Sequence, residues 1–354
     1  MERGGLESML MNYYRHIDRT RVQFDFLVHR QERAAFDDEI EALGGKIHRL
    51  PKLVPWSGTY RHALNAFFDE HPEYRIVHVH QDCLSSIALQ SAAQHGVPVR
   101  IAHSHNANQD KNWKYLVKLW YRRTISNDAT ALFACGQEAG NWMFGGAPFQ
   151  VIRNAIDAAS YRYAAAKRSA MRQQLGLSEE LAIGHVGRFN PQKNHPFLLE
   201  IFAALLKQEP NAVLLLVGGG NDLPKIQARA QALGISGRVR FLGVRSDVAD
   251  LMQAMDVFVF PSLYEGLGVV LVEAQASGLP CVVSETIPPE AYLTNLVFPE
   301  RLSSSADAWA ETALALRATP RTDRRAEIAA RGFDIVSEAE KLQEFYLAAY
   351  EKSR

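Results

Sequence analysis

The chain has 354 residues, more than a single hydrophobic core normally supports, so we expect about two domains of roughly 150 to 200 residues each. Its 39 basic residues balance its 39 acidic residues, which argues against a protein that binds nucleic acid through bulk charge. Cys83, Cys135 and Cys281 form no C-x-x-C pair, which argues against a disulfide framework or a zinc site. No apolar run reaches the length of a membrane span, and the first residues lack the apolar core of a signal peptide, so we expect a cytoplasmic protein.

Short apolar or β-branched runs alternate with longer amphipathic runs along the whole chain. This alternation is typical of parallel strands connected by helices, and it predicts an α/β protein with two doubly wound, Rossmann-like domains. The predicted strands lie at residues 24–28, 75–80, 99–103, 131–135, 181–186, 212–217, 239–242, 257–260 and 281–284.

The strand pattern is interrupted once, in the segment IRNAIDAASYRYAAA. Because Asn154 and Asp157 are turn formers and no strand pattern survives there, we place a hinge near residues 153 to 162. The predicted domains are therefore residues 1–157 and 158–335. The last amphipathic run, residues 336–354, has no strand after it and is predicted to be a helix that caps the fold or crosses back to the first domain.

Residues 261–280, PSLYEGLGVVLVEAQASGLP, place Glu265 and Glu273 eight positions apart around Gly266 and Gly268. The segment is predicted to be a strand end, a glycine-bearing loop and the start of an apolar helix. A helix N-terminus carries free N–H groups and partial positive charge, and glycines let an anion approach the backbone, so the loop suits a phosphate. The two carboxylates would flank it, on the order of 8 to 12 Å apart by helical rise, and could accept hydrogen bonds from sugar hydroxyls.

This pattern favours a nucleotide sugar as the ligand. The alternative is that Glu265 is a solvated loop residue and Glu273 an ordinary charge on a helix face. Glu273 makes that alternative costly, because its helix is almost wholly apolar and an unpaired charge there would be poorly solvated.

The segment HVGRFNPQKN, residues 185–194, follows the first predicted strand of the second domain. Gly187 permits a tight exit, and Arg188 and Lys193 emerge at the carboxyl edge, where open parallel sheets bind ligands. These cations could neutralise a diphosphate leaving group without a metal, and the chain contains no D-x-D triplet that would hold one. We therefore expect no metal and no other cofactor. The alternative is two surface cations on a loop.

Four segments, GRFNPQKN, LLLVGGGND, FLGVRSDV and the glutamate segment above, together resemble glycosyltransferase family 4. This family consists of retaining enzymes with two facing Rossmann-like domains and a cleft between them, the GT-B architecture. The chain looks most like its capsular and exopolysaccharide branch. Asn154 and Asp157 also match the family's N-G-I-D interdomain turn, except that Ala155 replaces the glycine.

The resemblance implies a role for each matching residue of the second domain. Glu265 would face the donor sugar, Glu273 would hold the ribose, and Arg188 and Lys193 would bind the diphosphate. Backbone amides of one loop would cover the sugar and phosphate, and a second segment would border the nucleobase. These two groups are Gly266, Leu267 and Gly268, and Gly243, Val244 and Arg245.

In the first domain the family has a glycine-rich loop after its first strand and a histidine at the end of a later strand. Gly4 and Gly5 match the loop. The segment VRIAHSHNA offers His103 and His105 for the histidine, and the spacing leaves both open. The implied role is a hydrogen bond to the donor sugar or its transition state. Because ten of the twelve histidines precede residue 158, a structural role is the alternative for either one.

The chain departs from the family at its beginning. The family's first strand lies inside the first sheet, but only three residues precede Gly4 here. We therefore predict that this strand is missing, with a gap or unpaired strand edges in the first sheet, unless another segment fills the slot.

The segment KNWKYLVKLWYRR, residues 111–123, is basic and aromatic and contains no acidic residue. Such a helix suits an anionic membrane surface, which a lipid-linked acceptor would explain. The alternative is an amphipathic helix packed on its own sheet. Basic residues recur at helical spacing, with aromatic and apolar residues on other faces: Lys111, Lys114, Lys118 and Arg122, and Trp113, Leu116 and Trp120.

These observations predict a hexosyltransferase of polysaccharide biosynthesis that acts with retention, in the cytoplasm and peripherally on the inner face of the cell membrane. Its partners would be a nucleoside diphosphate sugar, with UDP as the expected nucleotide, and a sugar or polyprenyl-linked acceptor. The alternatives are a non-hydrolysing nucleotide-sugar epimerase and an inactive scaffold subunit of a polysaccharide assembly complex. The residues expected to carry the chemistry are His103, His105, Arg188, Lys193 and Glu265.

Overall fold

The computed structural model describes residues 5–105 and 113–354, with the backbone alone for residues 113–116. The chain divides into two compact units, one made of Met1–Ala155 and Ile335–Arg354 and the other of Ile156–Asp334. This division falls two residues before the predicted domain boundary.

Both units are built from parallel strands connected by helices, so the predicted α/β class is confirmed. Every predicted strand is present, and no strand end is shifted by more than two residues. The strands are β1 (Phe26–Val28), β2 (Ile47–Arg49), β3 (Ile76–Val79), β4 (Val99–Ser104), β5 (Ala131–Ala134), β6 (Gln150–Val151), β7 (Ala182–Val186), β8 (Val213–Val217), β9 (Val239–Gly243), β10 (Val257–Phe260), β11 (Cys281–Ser284) and β12 (Val297–Glu300).

Helices follow most of these strands and cover the faces of the sheets. They are α1 (Gly5–His16), α2 (Asp37–Ala42), α3 (Gly58–Glu70), α4 (Ser85–Gln94), α5 (Trp113–Asp128), α6 (Gln137–Phe144), α7 (Ala158–Tyr161), α8 (Ala165–Gln174), α9 (His195–Leu206), α10 (Leu223–Ala232), α11 (Val248–Ala254), α12 (Val269–Ala276), α13 (Ala306–Leu316), α14 (Arg325–Ala330) and α15 (Ile335–Lys352). No helix of the described residues is long and apolar enough to cross a membrane.

The second unit has one six-stranded parallel sheet in the order β12-β11-β10-β7-β8-β9. Its strand β8, VLLLV, is buried at every position because helices cover both faces of the sheet. Alternate residues of β8 face opposite sides: Leu215 belongs to one apolar core and Leu214 to the other. The two cores hold the sheet rigidly, and the loops at its carboxyl edge are positioned by it.

The sheet of the first unit is in two pieces, a four-stranded sheet β3-β4-β5-β6 and a separate pair β1-β2. The predicted interruption of this sheet is therefore present. Helix α15 packs against α1 in the same unit, through a core that includes Met9, Tyr13, Ala339 and Leu342.

The connection between the units contains the predicted turn residues. Asp157 caps α7, its carboxylate accepting a hydrogen bond from Ser160 N at 3.2 Å. Ala155, which replaces the family's glycine, is buried. Ile156 N donates to Phe333 O at 2.9 Å, which ties the start of the second unit to its end.

Candidate functional site

The candidate site of the second unit lies at the carboxyl ends of β7 and β10. These strands are neighbours in the sheet, and the strand order reverses between them, because β8 and β9 extend on one side and β11 and β12 on the other. In open parallel sheets, ligands bind at such a reversal point. The loops that follow β7 and β10 carry the cations and Glu265 that the sequence analysis selected.

The loop after β7 presents one exposed cation and one largely buried cation. Arg188 is exposed and makes no hydrogen bond or ion pair with any described residue. Lys193 ends a 3-10 turn that Asn190 caps, its side-chain oxygen accepting a hydrogen bond from Lys193 N at 3.2 Å. Gly187 leaves the space that the Lys193 side chain fills, since a Cβ on Gly187 would lie 3.2 Å from Lys193 Cδ. The loop therefore aims Lys193 back over the sheet edge.

Lys193 and Glu265 form an ion pair with 2.6 Å between Nζ and Oε1. The pair is largely withdrawn from water, because 14% of the lysine side chain and 7% of the glutamate side chain are exposed. The ammonium also lies 4.7 Å from the ring centroid of Phe260, the last residue of β10, in a cation–π contact. Two charges predicted to act on separate parts of a ligand are thus paired with each other in this structure.

Gln192 ties the two loops together. Its side-chain amide donates to Tyr264 O at 3.0 Å and to Glu265 Oε2 at 3.3 Å, while its backbone oxygen accepts from Leu263 N at 2.8 Å. Both oxygens of Glu265 are therefore held, so the carboxylate has a fixed orientation. Gln192 lies inside the segment GRFNPQKN but was not among the residues selected from the sequence.

The glycine-bearing loop has the predicted form. Gly268 adopts a left-handed conformation with φ of +78° and precedes α12, and a Cβ on it would lie 3.5 Å from Glu265 Cγ. A Cβ on Gly266 would meet no atom within 4 Å, so the space beside that residue is open. Leu267 is buried in the core, which anchors the loop between them.

Glu273 lies on α12 with its carboxyl group beside Tyr161 of α7. Burial raises the pKa of Glu273 to about 7, and a hydrogen bond from the Tyr161 hydroxyl lowers it in part. Burial, and next the contact with Glu273, raise the pKa of Tyr161, which therefore stays protonated as the donor. Near neutral pH, Glu273 is thus poised between its charged and neutral forms. Sequence reasoning did not find Tyr161, because it is 112 positions away in the connecting segment.

Three consecutive glycines after β8 allow the loops of the sheet edge to pack closely. A Cβ on Gly218 would lie 2.1 Å from Gly187 O, and one on Gly220 would lie 2.4 Å from Phe189 O. Phe189 N donates to Gly219 O at 2.9 Å. The segment LLLVGGGND therefore supports the loop that carries Arg188 and Lys193.

The segment expected to border a nucleobase follows β9. Gly243 ends this strand with φ of +70°. Val244 is 67% exposed and offers an apolar surface at the sheet edge. The guanidinium of Arg245 is committed to Asp247, with contacts of 2.7 and 2.6 Å. Val244 is therefore free to make an apolar contact with a base. Arg245 could contact a base only after its guanidinium had broken its ion pair with Asp247.

Two buried histidines lie under the Lys193 loop and were not selected from the sequence. His185 Nδ1 bonds Val259 O at 2.9 Å, and its Nε2 has no partner among the described residues. His195 stacks on Phe189 with 4.2 Å between ring centroids. Burial lowers the pKa of both rings, to about 4 for His195, so both are neutral at pH 7. No motif marked them, since single histidines in core positions carry no spacing signal.

In the first unit, His103 and His105 join two further histidines from the neighbouring strand. His78 Nε2 lies 3.1 Å from His103 Nδ1, and His80 Nδ1 lies 2.8 Å from His105 Nε2. Tyr346 of α15 bonds His78 Nδ1 through its hydroxyl at 2.6 Å. Tyr346, His78 and His103 thus form a series of hydrogen bonds. For either assignment of the ring protons, His103 Nε2 has no partner among the described residues.

All four rings of this cluster are neutral at pH 7. Burial is the main cause, and it lowers the pKa of His105 to about 4 and that of His78 to about 3. His103 is only 1% exposed, whereas His105 follows the end of β4 and is partly exposed. Of the two candidates that the sequence left open, His105 is therefore the more accessible.

The histidine cluster could also be considered as a metal site. Ligating nitrogens of His78, His80 and His103 lie within 4.8 Å of one another. The hydrogen bonds above join His78 to His103 and to Tyr346, and join His80 to His105, so each of the three rings is held by a contact within the protein.

The remaining residues selected from the sequence lie at the start of the chain and in the basic aromatic segment. Gly4 and Lys111 lie outside the described residues, and Gly5 begins α1 with no atom within 4 Å of where its Cβ would be. The basic aromatic segment contributes to α5, where Trp120 is 62% exposed and Arg122 donates to Trp142 O at 2.8 Å.

Comparison with known proteins identifies the family. A family model of Glycosyltransferase Family 4 matches residues 3–160, and one of Glycosyl transferases group 1 matches residues 167–331. The chain is 37% identical to a Bacillus subtilis protein named "Putative glycosyltransferase EpsF", over 99% of this chain and 95% of that one. The chain belongs to glycosyltransferase family 4. The resemblance stated from the sequence is confirmed, and the protein is a glycosyltransferase.

Other matches agree with this assignment. A UDP-Gal:alpha-D-GlcNAc-diphosphoundecaprenol alpha-1,3-galactosyltransferase of Escherichia coli is 28% identical over 60% of this chain and 58% of its own. The crystal structure of Anabaena HepE with UDP-glucose superimposes with a TM-score of 0.77 at 22% identity, covering 98% of this chain and 96% of that one. WaaG, a glycosyltransferase involved in lipopolysaccharide biosynthesis, gives 0.66 at 19% identity, with coverage of 97% and 96%. These two structures confirm the predicted GT-B fold class.

Proposed function

We propose that this family 4 enzyme transfers a hexose, with retention, from a UDP-sugar to a sugar or polyprenyl-linked acceptor in polysaccharide biosynthesis. The observation that carries the proposal is the Lys193–Glu265 pair at the reversal point of the second sheet, beside the exposed Arg188. The names of the relatives support the substrates, because the E. coli relative uses UDP-Gal and a diphosphoundecaprenol acceptor and HepE was crystallised with UDP-glucose.

In the proposed reaction, the bond between C1 of the sugar and the β-phosphate oxygen breaks while the acceptor oxygen bonds to C1 on the same face. The acceptor proton passes to the departing phosphate. Arg188 and Lys193 stabilise the charge that grows on the diphosphate, and the N-terminus of α12 adds partial positive charge. The Lys193 ammonium has three donors, so it can keep Glu265 while it binds a phosphate oxygen.

Glu265 then orients the sugar as C1 becomes cationic, and Glu273 accepts hydrogen bonds from the ribose. The roles of His103 and His105 rest on the family resemblance. A neutral imidazole suits a hydrogen bond to a sugar hydroxyl and does not suit proton donation. The cations of the second unit supply the charge that a metal would otherwise provide to a diphosphate, so no metal is part of the proposal.

The proposal is tested by a thermal-shift screen against UDP, GDP and ADP and their hexose conjugates, followed by a transfer assay. We expect UDP-sugars to raise the melting temperature most, and the best donor to glycosylate a polyprenyl diphosphate sugar with the donor's anomeric configuration, read by NMR coupling constants. Turnover of a UDP-sugar without an acceptor would instead support the epimerase alternative. Tight nucleotide binding with no transfer to any acceptor would support the scaffold alternative.

A membrane contact is part of the same proposal. Trp56 and Trp120 are 68% and 62% exposed. The Tyr121 hydroxyl donates to Pro55 O at 3.1 Å, and these two residues are the chain neighbours of the tryptophans, so both rings lie on adjacent parts of the first unit's surface. Exposed tryptophans beside a basic helix are typical of proteins that lie on a membrane interface.

Replacing Trp56 and Trp120 together with serine is expected to weaken binding to phosphatidylglycerol vesicles. If each ring buries about 60 Å² at about 25 cal/mol per Å², the loss is about 3 kcal/mol, or roughly 100-fold in partitioning. Co-sedimentation measures the effect. Val336→Ser, at an exposed apolar residue of α15, serves as the control and should bind like the parent. Equal binding by the double variant and the parent would remove the membrane contact from the proposal.

A further inference from the structure

Gln192 is the middle residue of the 3-10 turn Pro191–Lys193, in the loop that follows β7. Its side chain reaches the loop that follows β10 and contacts two consecutive residues there, Tyr264 and Glu265. Gln192 has no part in the reaction proposed above. Its contacts nevertheless fix the orientation of its amide group, and that orientation leaves one polar atom free beside the candidate site.

The amide nitrogen of Gln192 is the atom that faces the β10 loop. Nε2 lies 3.0 Å from Tyr264 O and 3.3 Å from Glu265 Oε2. A carbonyl oxygen and the oxygen of a carboxylate only accept hydrogen bonds, so an amide oxygen in the same place would face two acceptors. The other orientation of the amide, with nitrogen and oxygen exchanged, is therefore excluded.

Both hydrogens of the Gln192 amide are used in this arrangement. An amide NH₂ group has two donors, and the two contacts with the β10 loop need one each. The amide oxygen, Oε1, accepts no hydrogen bond from the residues that the structure describes. It is not fully buried, and Gln192 as a whole is partly exposed. Oε1 is thus an acceptor that a ligand can reach.

Oε1 also lies close to the carboxylate that is proposed to orient the donor sugar. The C–O and C–N bonds of an amide are about 1.23 and 1.33 Å long, so Oε1 is within about 2.6 Å of Nε2. Together with the 3.3 Å contact, this places Oε1 within about 6 Å of Glu265 Oε2. Two hydroxyls of one hexose ring can reach across such a distance.

The other polar side chains of this site are suited to different parts of a ligand. Arg188 and Lys193 only donate hydrogen bonds, which suits a diphosphate. Both oxygens of Glu265 already accept hydrogen bonds, one from Lys193 and one from Gln192. Oε1 of Gln192 can accept the hydrogen of a hydroxyl without breaking an existing contact. Because it is neutral, it does so without bringing a second negative charge towards the diphosphate.

We propose that Gln192 helps to select the transferred hexose, because its Oε1 accepts a hydrogen bond from one hydroxyl of the donor sugar while its Nε2 holds Glu265. This inference rests on the proposed function, which places the sugar beside Glu265. The group recognised is a hydroxyl on the hexose ring. A donor that lacks this hydroxyl would leave Oε1 without its partner and would bind more weakly.

The test compares the native chain with Gln192→Met, which has a side chain of similar length but no amide. Titration calorimetry measures the affinity for UDP, for the best UDP-hexose of the thermal-shift screen, and for analogues of that donor that each lack one sugar hydroxyl. Gln231→Met is the matched control, because Gln231 is an exposed glutamine of α10. Melting temperatures show that each variant is folded.

We expect one analogue to bind the native enzyme about 5- to 10-fold more weakly than the parent donor. Gln192→Met should bind that analogue and the parent donor equally, whereas the losses caused by the other analogues should be the same as in the native enzyme. The affinity of Gln192→Met for UDP should be unchanged, since UDP carries no hexose. Gln231→Met should match the native enzyme in every titration.

The proposal would be overturned if each analogue caused the same loss in Gln192→Met as in the native enzyme, because no hydroxyl would then depend on Gln192. It would also be overturned if the affinity for UDP fell as much as the affinity for the UDP-hexose, since Gln192 would then only support the loop. Failure of the native enzyme to bind any UDP-hexose would be a separate result. That result would remove the proposed function, and this inference with it.

Discussion

Replacing Lys193 with methionine is expected to lower kcat/KM for glycosyl transfer by about 10² to 10³, because the departing diphosphate loses a preorganised cation. The same change leaves the Glu265 carboxylate with 7% exposure and without its counter-charge. Removing one partner of a buried pair typically costs about 3 to 5 kcal/mol, so the free energy of unfolding should fall by an amount in this range. Initial rates with the best UDP-sugar and urea unfolding measure the two effects.

The double variant Lys193→Met with Glu265→Gln separates these two effects. It removes both charges, so most of the lost stability should return, while activity should stay as low as in the single variant or fall further. Lys193→Arg keeps the charge and serves as the matched control for binding of the diphosphate. If the double variant regained activity along with stability, the pair would be structural, and Lys193 and Glu265 would have no direct part in the reaction.

Replacing Glu273 with glutamine is expected to weaken binding of UDP by about 10- to 100-fold, because hydrogen bonds to a charged acceptor contribute roughly 1.5 to 3 kcal/mol. The native enzyme should also bind UDP more tightly as pH rises from 5.5 to 8, since the pKa of Glu273 is raised to about 7 and the carboxylate is the better acceptor for ribose hydroxyls. The glutamine variant should show a flat profile over this range. Titration calorimetry at several pH values measures both.

Tyr161→Phe is the control for this assignment. It removes the hydrogen bond that lowers the Glu273 pKa, so the midpoint of the binding profile should move to higher pH. A role for Glu273 in holding the ribose would be contradicted if the UDP affinity of the native enzyme did not change between pH 5.5 and 8. It would also be contradicted if the midpoint of the binding profile moved to lower pH in the Tyr161 variant.

The raised pKa of Glu273 also predicts a pH dependence of stability. The pKa of a glutamate in an unfolded chain is near 4.5, whereas burial raises the pKa of Glu273 to about 7 in this fold. Its contribution to stability is therefore fully present below pH 4.5 and is lost as pH rises towards 7, where it levels off. Glu273→Gln removes this loss, so the variant should gain stability relative to the native protein between pH 5 and pH 8, as measured by its melting temperature.

Sequence patterns identified all the strands in the interior of the sheets, together with the edge strands β1, β3 and β9. Three strands escaped prediction: β2, β6 and β12. Each is the outermost strand of its sheet and has a single neighbour. An edge strand is covered incompletely, so it needs no continuous apolar run, and β12 even contains Pro299. The pattern that predicts a strand is a consequence of burial and is weak where burial is partial.

The sequence by itself determined the family, the α/β class and the set of charged residues in the second unit, because motifs and apolar periodicity are properties of neighbouring residues. Only the tertiary structure decided which of these groups meet. Three contacts join positions that are 25 to 112 residues apart: Lys193 with Glu265, Tyr161 with Glu273, and His78 with His103. Such contacts depend on how strands order themselves in a sheet, and no local pattern of residues encodes that order.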